Sequence, residues 1–485
     1  MPEQATISKQ KRNLIVTVMI TSAFIAILNQ TLLNTALPAI MRSFNIGENT
    51  SQWLVTGFML VNGVMIPLTA FLMDKIKTRP LYLASMGIFL IGTILAAIAP
   101  NFGVLMTARV IQAMGAGIIM PLMQFTLFTL FPKNERGFAM GLAGLVISFA
   151  PAIGPTVSGL IIDVSSWRTP FIAVAVIALI GYIFGAISIK SFNEPKDITL
   201  DMKSVIYSTI GFGVMLLAFS SAGSSGIDSW TFYVPFIASL FVIWVFVKRQ
   251  LTIENPILNL RVFKNKTFTL SAICSMIVMT SMIGPALLIP IYVQNAMGLS
   301  AFLSGIVILP GAVVNGVMSI YTGKFYDKYG VRPLVIIGFT MLTIFTGVLA
   351  FLKVDTPFWY LVLIYALRMF SVSLLAMPLN TAGVNALPNK DISHGTAIMN
   401  FARMMASSIG TAIMVALMTL GTRTFAPNPN EVASKELFHR EAIARGVDLS
   451  FGVVTVIVLI GFIIGLFIRD RIKGETKKQM NARKI

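Results

Sequence analysis

Charge is scarce in this chain. Only 12% of its 485 residues are Asp, Glu, Lys or Arg, against about 25% in a soluble globular protein, and 56% are hydrophobic. Most of the length therefore cannot face water. Cysteine is nearly absent: the single Cys274 excludes an internal disulfide framework and a thiolate metal site. The two histidines, His394 and His439, lie too far apart in sequence to read as a metal pair. There is no Gly-Lys-Ser/Thr phosphate loop, which argues against direct coupling to ATP. Paired carboxylates and a nucleophile–His arrangement are missing from the apolar stretches, so the chain does not read as an enzyme, and neither cofactor nor metal is expected. The 19 acidic residues are outnumbered by 37 basic ones, for a net charge of +18. A nucleic-acid partner is not implied, because the cations sit in short loops between apolar runs and form no stripe on a soluble face.

What remains is long apolar sequence. A bilayer core takes about 20 residues per helix, and fourteen stretches qualify, the first within 14–36 and the last within 451–469. The chain reads as an all-α integral membrane protein. Lys9, Lys11 and Arg12 precede the first run in the manner of a signal peptide. That run has the length of a full span and many others follow, so it reads as an uncleaved first helix. With the N-terminus inside, most of the Lys and Arg residues fall in inner segments, which places both termini in the cytoplasm. Three arginines, Arg109, Arg368 and Arg403, lie within spans.

The expected organisation is a six-helix bundle over 1–190 and two inserted spans over 191–249. A cytoplasmic connection over 250–267 follows, with Pro256-Ile257-Leu258 at the membrane interface. A second six-helix bundle covers 268–470 and carries an outer loop, 421–450; a basic cytoplasmic tail covers 471–485. Within the outer loop, Glu431–Gly446 mixes charged and apolar residues at helical spacing. It reads either as a surface helix on the outer leaflet or as a cap over an outward exit.

The two bundles repeat one another at an offset near 253. Val61-Asn62-Gly63-Val64-Met65 recurs as Val314-Asn315-Gly316-Val317-Met318, Asp74-Lys75 as Asp327-Lys328, and Arg79-Pro80 as Arg332-Pro333. Further along, Arg109 aligns with Arg368, Met120-Pro121-Leu122 with Met377-Pro378-Leu379, and Gly137 with Gly395. An even number of spans per copy preserves orientation, so the repeat is parallel, as in carriers that rock two halves about a site near the midplane.

Several segments carry chemistry. In the loop from Ala70 to Arg79 and in its copy from Gly323 to Arg332, a carboxylate at a helix end precedes cations. Asp74, Lys75, Arg79, Asp327, Lys328 and Arg332 could pair across the inner face as a gate. The carboxylates could also sit at a neighbouring helix N-terminus, where the dipole favours negative charge; an ordinary positive turn is the plainer reading. In span 4, Arg109 and Gln112 share a helix face. A charge at that depth must meet a cavity or polar partners, or else the Arg only braces helices. Span 5 is rich in small residues through Gly154-Pro155-Thr156-Val157-Ser158-Gly159, which permits close helix packing. The polar residues expected to line a central cavity with the three arginines are Asn29, Gln30, Asn34, Gln112, Gln124, Asn380 and Asn400.

These motifs resemble those of the major facilitator superfamily. The loop copies are similar to its motif between spans 2 and 3, the second keeping Gly323, Asp327, Gly330 and Arg332, the first having Ala70 and Lys77 in place of glycines. Arg109-Val110-Ile111-Gln112-Ala113 resembles its Arg-x-x-Gln-Gly motif, with Ala113 for the first Gly. Gly154, Pro155 and Gly159 resemble its antiporter motif, with Ser158 for a Gly. Leu28-Asn29-Gln30-Thr31 through Pro38, Glu254-Asn255-Pro256 through Phe263, and His394-Gly395 through Gly410 resemble the fourteen-helix drug–proton antiporter family, most of all its lincomycin-resistance-type exporters. The resemblance covers nearly the whole chain.

It implies the major facilitator fold and multidrug efflux from a bacterial cell membrane. It further implies amphipathic substrates exchanged for protons by alternating access, and a functional monomer. Many members have Asp where this chain has Asn29, and no acidic residue falls deep in a predicted span. Asp163, ending span 5, reads either as a proton-coupling group or as a plain interfacial Asp. Three arginines without a buried carboxylate would favour neutral or anionic amphiphiles over permanent cations. A lipid or lipid-conjugate flippase is the alternative transporter on this scaffold, and a non-transporting membrane sensor the alternative from another class.

Overall fold

A computed structural model describes residues 8–225, 229–424 and 435–468. Among these residues the protein is helical and has no strand. Fourteen helices are long and apolar enough to cross a bilayer. They are α1 Lys9–Phe44, α2 Glu48–Lys75, α3 Thr78–Ala97, α4 Phe102–Leu130, α5 Arg136–Val164, α6 Thr169–Ser188, α7 Met202–Ser225, α8 Trp230–Thr252, α9 Lys266–Ile291, α10 Ala301–Tyr329, α11 Val331–Val348, α12 Phe358–Asn385, α13 Ile392–Thr424 and α14 Lys435–Gly465. In hydrocarbon every backbone N–H and C=O must be satisfied within the segment, and the α-helix does this alone. Helix starts carry side-chain caps: Asn101 Oδ1 accepts from Val104 N–H at 3.0 Å, and Ser300 Oγ from Leu303 N–H at 3.3 Å, each supplying an acceptor that the first turn lacks.

We call the end at which α1 begins and α14 finishes the proximal end, and the other the distal end. One buried apolar core is drawn chiefly from α1–α6, and a second wholly from residues 274–468. The second copy thus has an interior of its own, while the first core also takes in residues of α9, α12 and α13. The inserted pair behaves differently. α8 packs on α7, while α7 also lies against α2 and α13, closing the seam between the halves. The Phe212 ring of α7 lies tilted against Phe401 of α13 at 4.3 Å and edge-on to Phe246 of α8 at 5.5 Å. At the proximal end of this pair, Arg249 makes two hydrogen bonds, of 2.7 and 2.9 Å, to Asp201. They hold the Asp201 carboxyl well below the usual carboxylate range.

Two expected segments are corrected. The last span begins at Lys435, not near 451, so the described part of Glu431–Gly446 is no separate surface helix but the distal stretch of α14. Its polar residues serve packing. Arg440 donates to the carbonyls of Ala296 and Met297 at 2.7 and 2.8 Å, and Asp448 Oδ1 accepts from Leu352 N–H at 2.9 Å. Asp448 consequently lies inside an apolar span, where no carboxylate was expected. Residues 425–434 of the outer loop and the tail 471–485 lie outside the described residues. The second correction concerns Ile257 and Leu258. Their side chains do not face outward but are buried in the first apolar core, next to the 3₁₀ turn Leu260–Lys264.

Candidate substrate cavity and proximal gate

A cavity of about 240 Å³ lies between α1, α2 and α4 of one half and α9 and α13 of the other. Its polar lining is Gln30, Asn62, Asn400, Arg403, Ser407 and Ser408; Met59, Met120, Met279 and Met404 provide much of the apolar wall. Beyond Arg403 a crevice of about 30 Å³ continues toward α10 and α12, past Asn315, Ser319 and Met377. Arg403 borders both spaces and is the charged residue among those lining them. It stands eleven residues into α13, about 16 Å along the axis, which is near the middle of a ~30 Å bilayer core.

A polar layer closes the cavity on the proximal side. Gln124 of α4 accepts from Asn400 Nδ2 at 2.9 Å and from Asn380 Nδ2 at 3.4 Å, joining the halves. Asn400 Oδ1 in turn accepts from Arg403 at 2.8 Å, which aims the guanidinium.

The contacts that a gate would use lie below this layer, and the two loop copies build them differently. Asp327, at the end of α10, accepts from the backbone N–H groups of Gly137 and Phe138 at 2.7 and 2.8 Å. A carboxylate here meets the positive end of the α5 dipole and two amides with no partner within the helix. The approach is possible because both facing residues are glycine: a Cβ on Gly137 would lie 2.3 Å from the Gly323 carbonyl oxygen, and one on Gly323 2.1 Å from that of Gly137. Beside this seam Arg136 donates to Asn385 Oδ1 at 2.8 Å. Asp74, at the end of α2, instead meets side chains. Ser393 Oγ donates to its Oδ1 at 2.6 Å, His394 Nε2 faces its Oδ2 at 3.4 Å, and Lys196 pairs with it.

Not every expected site residue joins the cavity or the gate. Gln30, Asn400 and Arg403 line the cavity, and Gln124 and Asn380 form its floor. Arg109 and Gln112 do not reach it. Arg109 is fully buried within the first half, donating to Gln112 Oε1 at 2.9 Å and to the Leu54 carbonyl at 3.3 Å, over the Phe58 ring at 4.2 Å. Gln112 passes the connection on to Thr93 Oγ1 at 3.0 Å. Arg368 is buried likewise in the second half, donating to Thr346 Oγ1 at 3.2 Å and to the Ser281 carbonyl. Both arginines therefore brace their own bundles, because helix packing surrounds them with carbonyls and hydroxyls on the side away from the cavity.

Asn29 is buried and does not line the cavity; neither of its amide atoms has a hydrogen bond among the described residues. Asn34 is exposed on the distal part of α1. The gating cations do not cross the interface. Lys75 donates to the Ile198 carbonyl and Arg79 to the Ala186 carbonyl, both at 2.8 Å and both within the first half. Lys328 lies over the neighbouring Tyr329 ring and Arg332 is exposed. Gly154 packs on Thr31 of α1, where a Cβ would meet Oγ1 at 2.1 Å, and Gly159 faces open space. The side chains of Pro155 and Asp163 lie outside the described residues. Sequence reasoning did not place Lys196, Ser393, Asn385 or the threonines. The offset of 253 that relates the loops also relates Thr93 to Thr346, and could have found them. A cavity of about 690 Å³ lies distally between the α11–α12 turn and α14, lined by Lys353, Asp355, Arg440 and Asp448 among others; it does not lie between the halves.

Known proteins agree with this architecture. The sequence pattern described as Major Facilitator Superfamily matches residues 19–411. An uncharacterized MFS-type transporter of Bacillus subtilis, YcnB, is 43% identical over 94% of this chain and 95% of its own length. The lincomycin resistance protein LmrB of the same organism is 37% identical over 94% and 95%, and that of Listeria monocytogenes 36% over 97% and 99%. Among solved structures, the human organic anion transporter MFSD10 superposes with a TM-score of 0.67 at 13% identity, over 94% of this chain and 99% of that one, a likeness of fold. The protein is a multi-pass membrane transporter, not an enzyme, and the chain belongs to the major facilitator superfamily.

Proposed function

We propose that the protein is a secondary exporter of amphipathic small molecules, working by alternating access in exchange for protons, as a monomer in a bacterial cell membrane. The observation that carries this is the cavity between the halves: a methionine-rich wall suits varied apolar bodies, and one guanidinium stands among uncharged polar groups. The abundance of Lys and Arg in proximal loops supports a cytoplasmic proximal end. The hydrogen bonds identified between the halves all lie proximal to Arg403, which suits a carrier closed inward and facing the outer side. The named lincomycin-resistance relatives favour export. Exchange for protons rests on family resemblance. A lipid flippase would need an opening along a seam; α7 covers the α2–α13 seam, and glycine contacts fill the proximal stretch of the α5–α10 seam.

The charge of the cavity sets the substrate class. Arg403 favours neutral or anionic amphiphiles and opposes permanent cations. The test is transport into proteoliposomes under an imposed pH gradient, comparing an anionic amphiphilic dye with a quaternary ammonium dye. The anionic dye should follow the gradient in the wild type and lose most of its transport with Arg403→Gln. Strong transport of the quaternary dye would overturn the substrate class; transport indifferent to the gradient would overturn proton exchange. Lipid scrambling without dye movement would favour the flippase.

A further inference from the structure

We propose that His394 is a proton-operated latch on the proximal gate: its protonation holds the two halves together, so acid on that side favours the closed gate. The inference deepens the export reading and rests on it for its physiological meaning.

His394 is buried in the first turn of α13 and occupies the interface itself. Its Nδ1 accepts from Asn259 N–H at 3.2 Å, and its Nε2 faces Asp74 Oδ2 at 3.4 Å. A neutral ring with its proton on Nε2 satisfies both contacts. A second proton can enter only at Nδ1, where it meets the Asn259 amide donor to donor.

The sign of the coupling follows from which neighbours leave when the gate opens. Asp74 comes from α2 and Lys196 from the segment joining α6 to α7. Lys196 N–H donates to the Asp74 carbonyl at 2.8 Å, so the two move as one body in the first half. Asp391 comes from the turn before α13 and binds Asn259 Nδ2 at 3.1 Å; Lys390, in the same turn, offers its carbonyl to Lys196 at 3.4 Å. Asn259 belongs to the connection before α9, which Asn265 ties to the Ala386 carbonyl at 2.8 Å. Asp391 and the α13 terminus travel with His394 in the second half, and Asn259 stays with them through the Asp391 and Asn265 bonds, which outlast the packing of Ile257 and Leu258 on the first core. They are present with the gate open or closed. Only the Asp74–Lys196 pair departs. Its nearest atom to the ring is a carboxylate oxygen, so a positive imidazolium gains more in the closed gate than in the open one. By linkage, protonation then favours closure.

The latch is confined to one seam. Asp327, in the other seam, meets backbone amides and no imidazole. His439, the other imidazole, is exposed on the distal part of α14. If each export cycle delivers a proton to the cytoplasm, accumulated protons would hold the carrier closed to that side and slow further export.

The test reads conformation, not transport, so it stands apart from the export reading. Cysteines at the exposed positions Lys77 and Asn389, one in each half, take spin labels in the reconstituted full-length protein, while Cys274 is buried and stays unlabelled. Distances are measured by electron–electron resonance from about pH 8 to about pH 5.5, the range in which an imidazole changes charge. In the labelled parent the short-distance population should grow several-fold on acidification. In His394→Gln, and independently in Asp74→Asn, it should stay flat. An unchanged pH response in either variant, no response in the parent, or opening on acidification would overturn the latch. If the latch responds as expected but no amphiphile is transported, the export reading alone fails.

Discussion

At the end of α10, Gly323 lets the chain touch α5 backbone to backbone, and Asp327 caps two amides directly. At the same point of the repeat in α2 stands Ala70, buried, with the methyl group that Gly323 lacks. There the partner helix stays farther off: the three atoms nearest to a Cβ built on Gly395 of α13 all belong to its own half. Asp74 therefore reaches α13 through Ser393 and His394. The second lost glycine acts similarly. Gly330 closes α10 at φ 82° and ψ −176°, a conformation open essentially to glycine, whereas Lys77 takes φ −60° and ψ 144°. The first copy is thus not a decayed motif but a different device. In one seam a carboxylate meets fixed backbone dipoles, and in the other it meets side chains that can themselves change charge and position.

The comparison can be broken most forcefully at the glycine seam. Gly323→Val should prevent proximal closure and lower efflux by more than tenfold, since forcing bulk into a packed contact costs about 1–3 kcal/mol and here the obstacle is backbone. Ala70→Gly should transport normally. Equal behaviour of the two variants would sink the distinction. Next in size, Asp327→Asn removes charge from two amide bonds, each charge-assisted bond contributing about 1.5–3 kcal/mol. It should open the gate by about tenfold in a spin-label distance measurement. Asp74→Asn should do so less at neutral pH, because Lys196 is half-exposed and can be rehydrated. Third, Gly330→Ala should lower the melting temperature through strain of about 1–3 kcal/mol. Lys77→Gly should lower it less, by the roughly 0.5–1 kcal/mol that a more flexible unfolded chain entails.

The smallest effect serves as a control outside both copies. Asp201→Asn should lower the melting temperature only slightly, since surface ion pairs contribute little, and leave both gates unchanged. Because Arg249 depresses the Asp201 carboxyl in the folded state, its contribution is present above the unfolded carboxylate range. It fades as pH falls below about 4. A melting difference between wild type and variant that persisted unchanged in strong acid would contradict the pairing.

The sequence made the fold legible because the bilayer demands it: fourteen apolar runs had to become fourteen helices, and the repeat had to produce two similar bundles. The cavity was partly legible. Arg403 and Asn400 face it, as their polarity at that depth suggested, but Arg109 looks the same in one dimension and turns the other way. Burial depth follows from hydropathy, whereas the direction in which a buried arginine points depends on which neighbouring carbonyls are free, and those belong to helices remote in sequence. The gate was misread for a related reason. Lys75, Arg79, Lys328 and Arg332 are conspicuous beside their carboxylates, yet long cationic side chains find carbonyls or rings within their own half. The bonds that cross come from short groups, Ser393, His394 and two amides, which a scan for charge passes over. At the last span, Arg440 and Asp448 suggested a water-exposed loop, but each is used to bind a backbone group of a neighbouring turn.

The seating of α7 against both α2 and α13 has a mechanical consequence. Phe212 on Phe401 is a contact between apolar rings, held by dispersion and exclusion of polar surroundings, forces that tolerate small displacements in any direction. The meeting of Gly137 with Gly323 is a close fit of rigid main chain that tolerates very little. A rocking motion that opens the proximal end would thus part the glycine side abruptly and slip along the aromatic side, with the inserted hairpin acting as a lubricated rail.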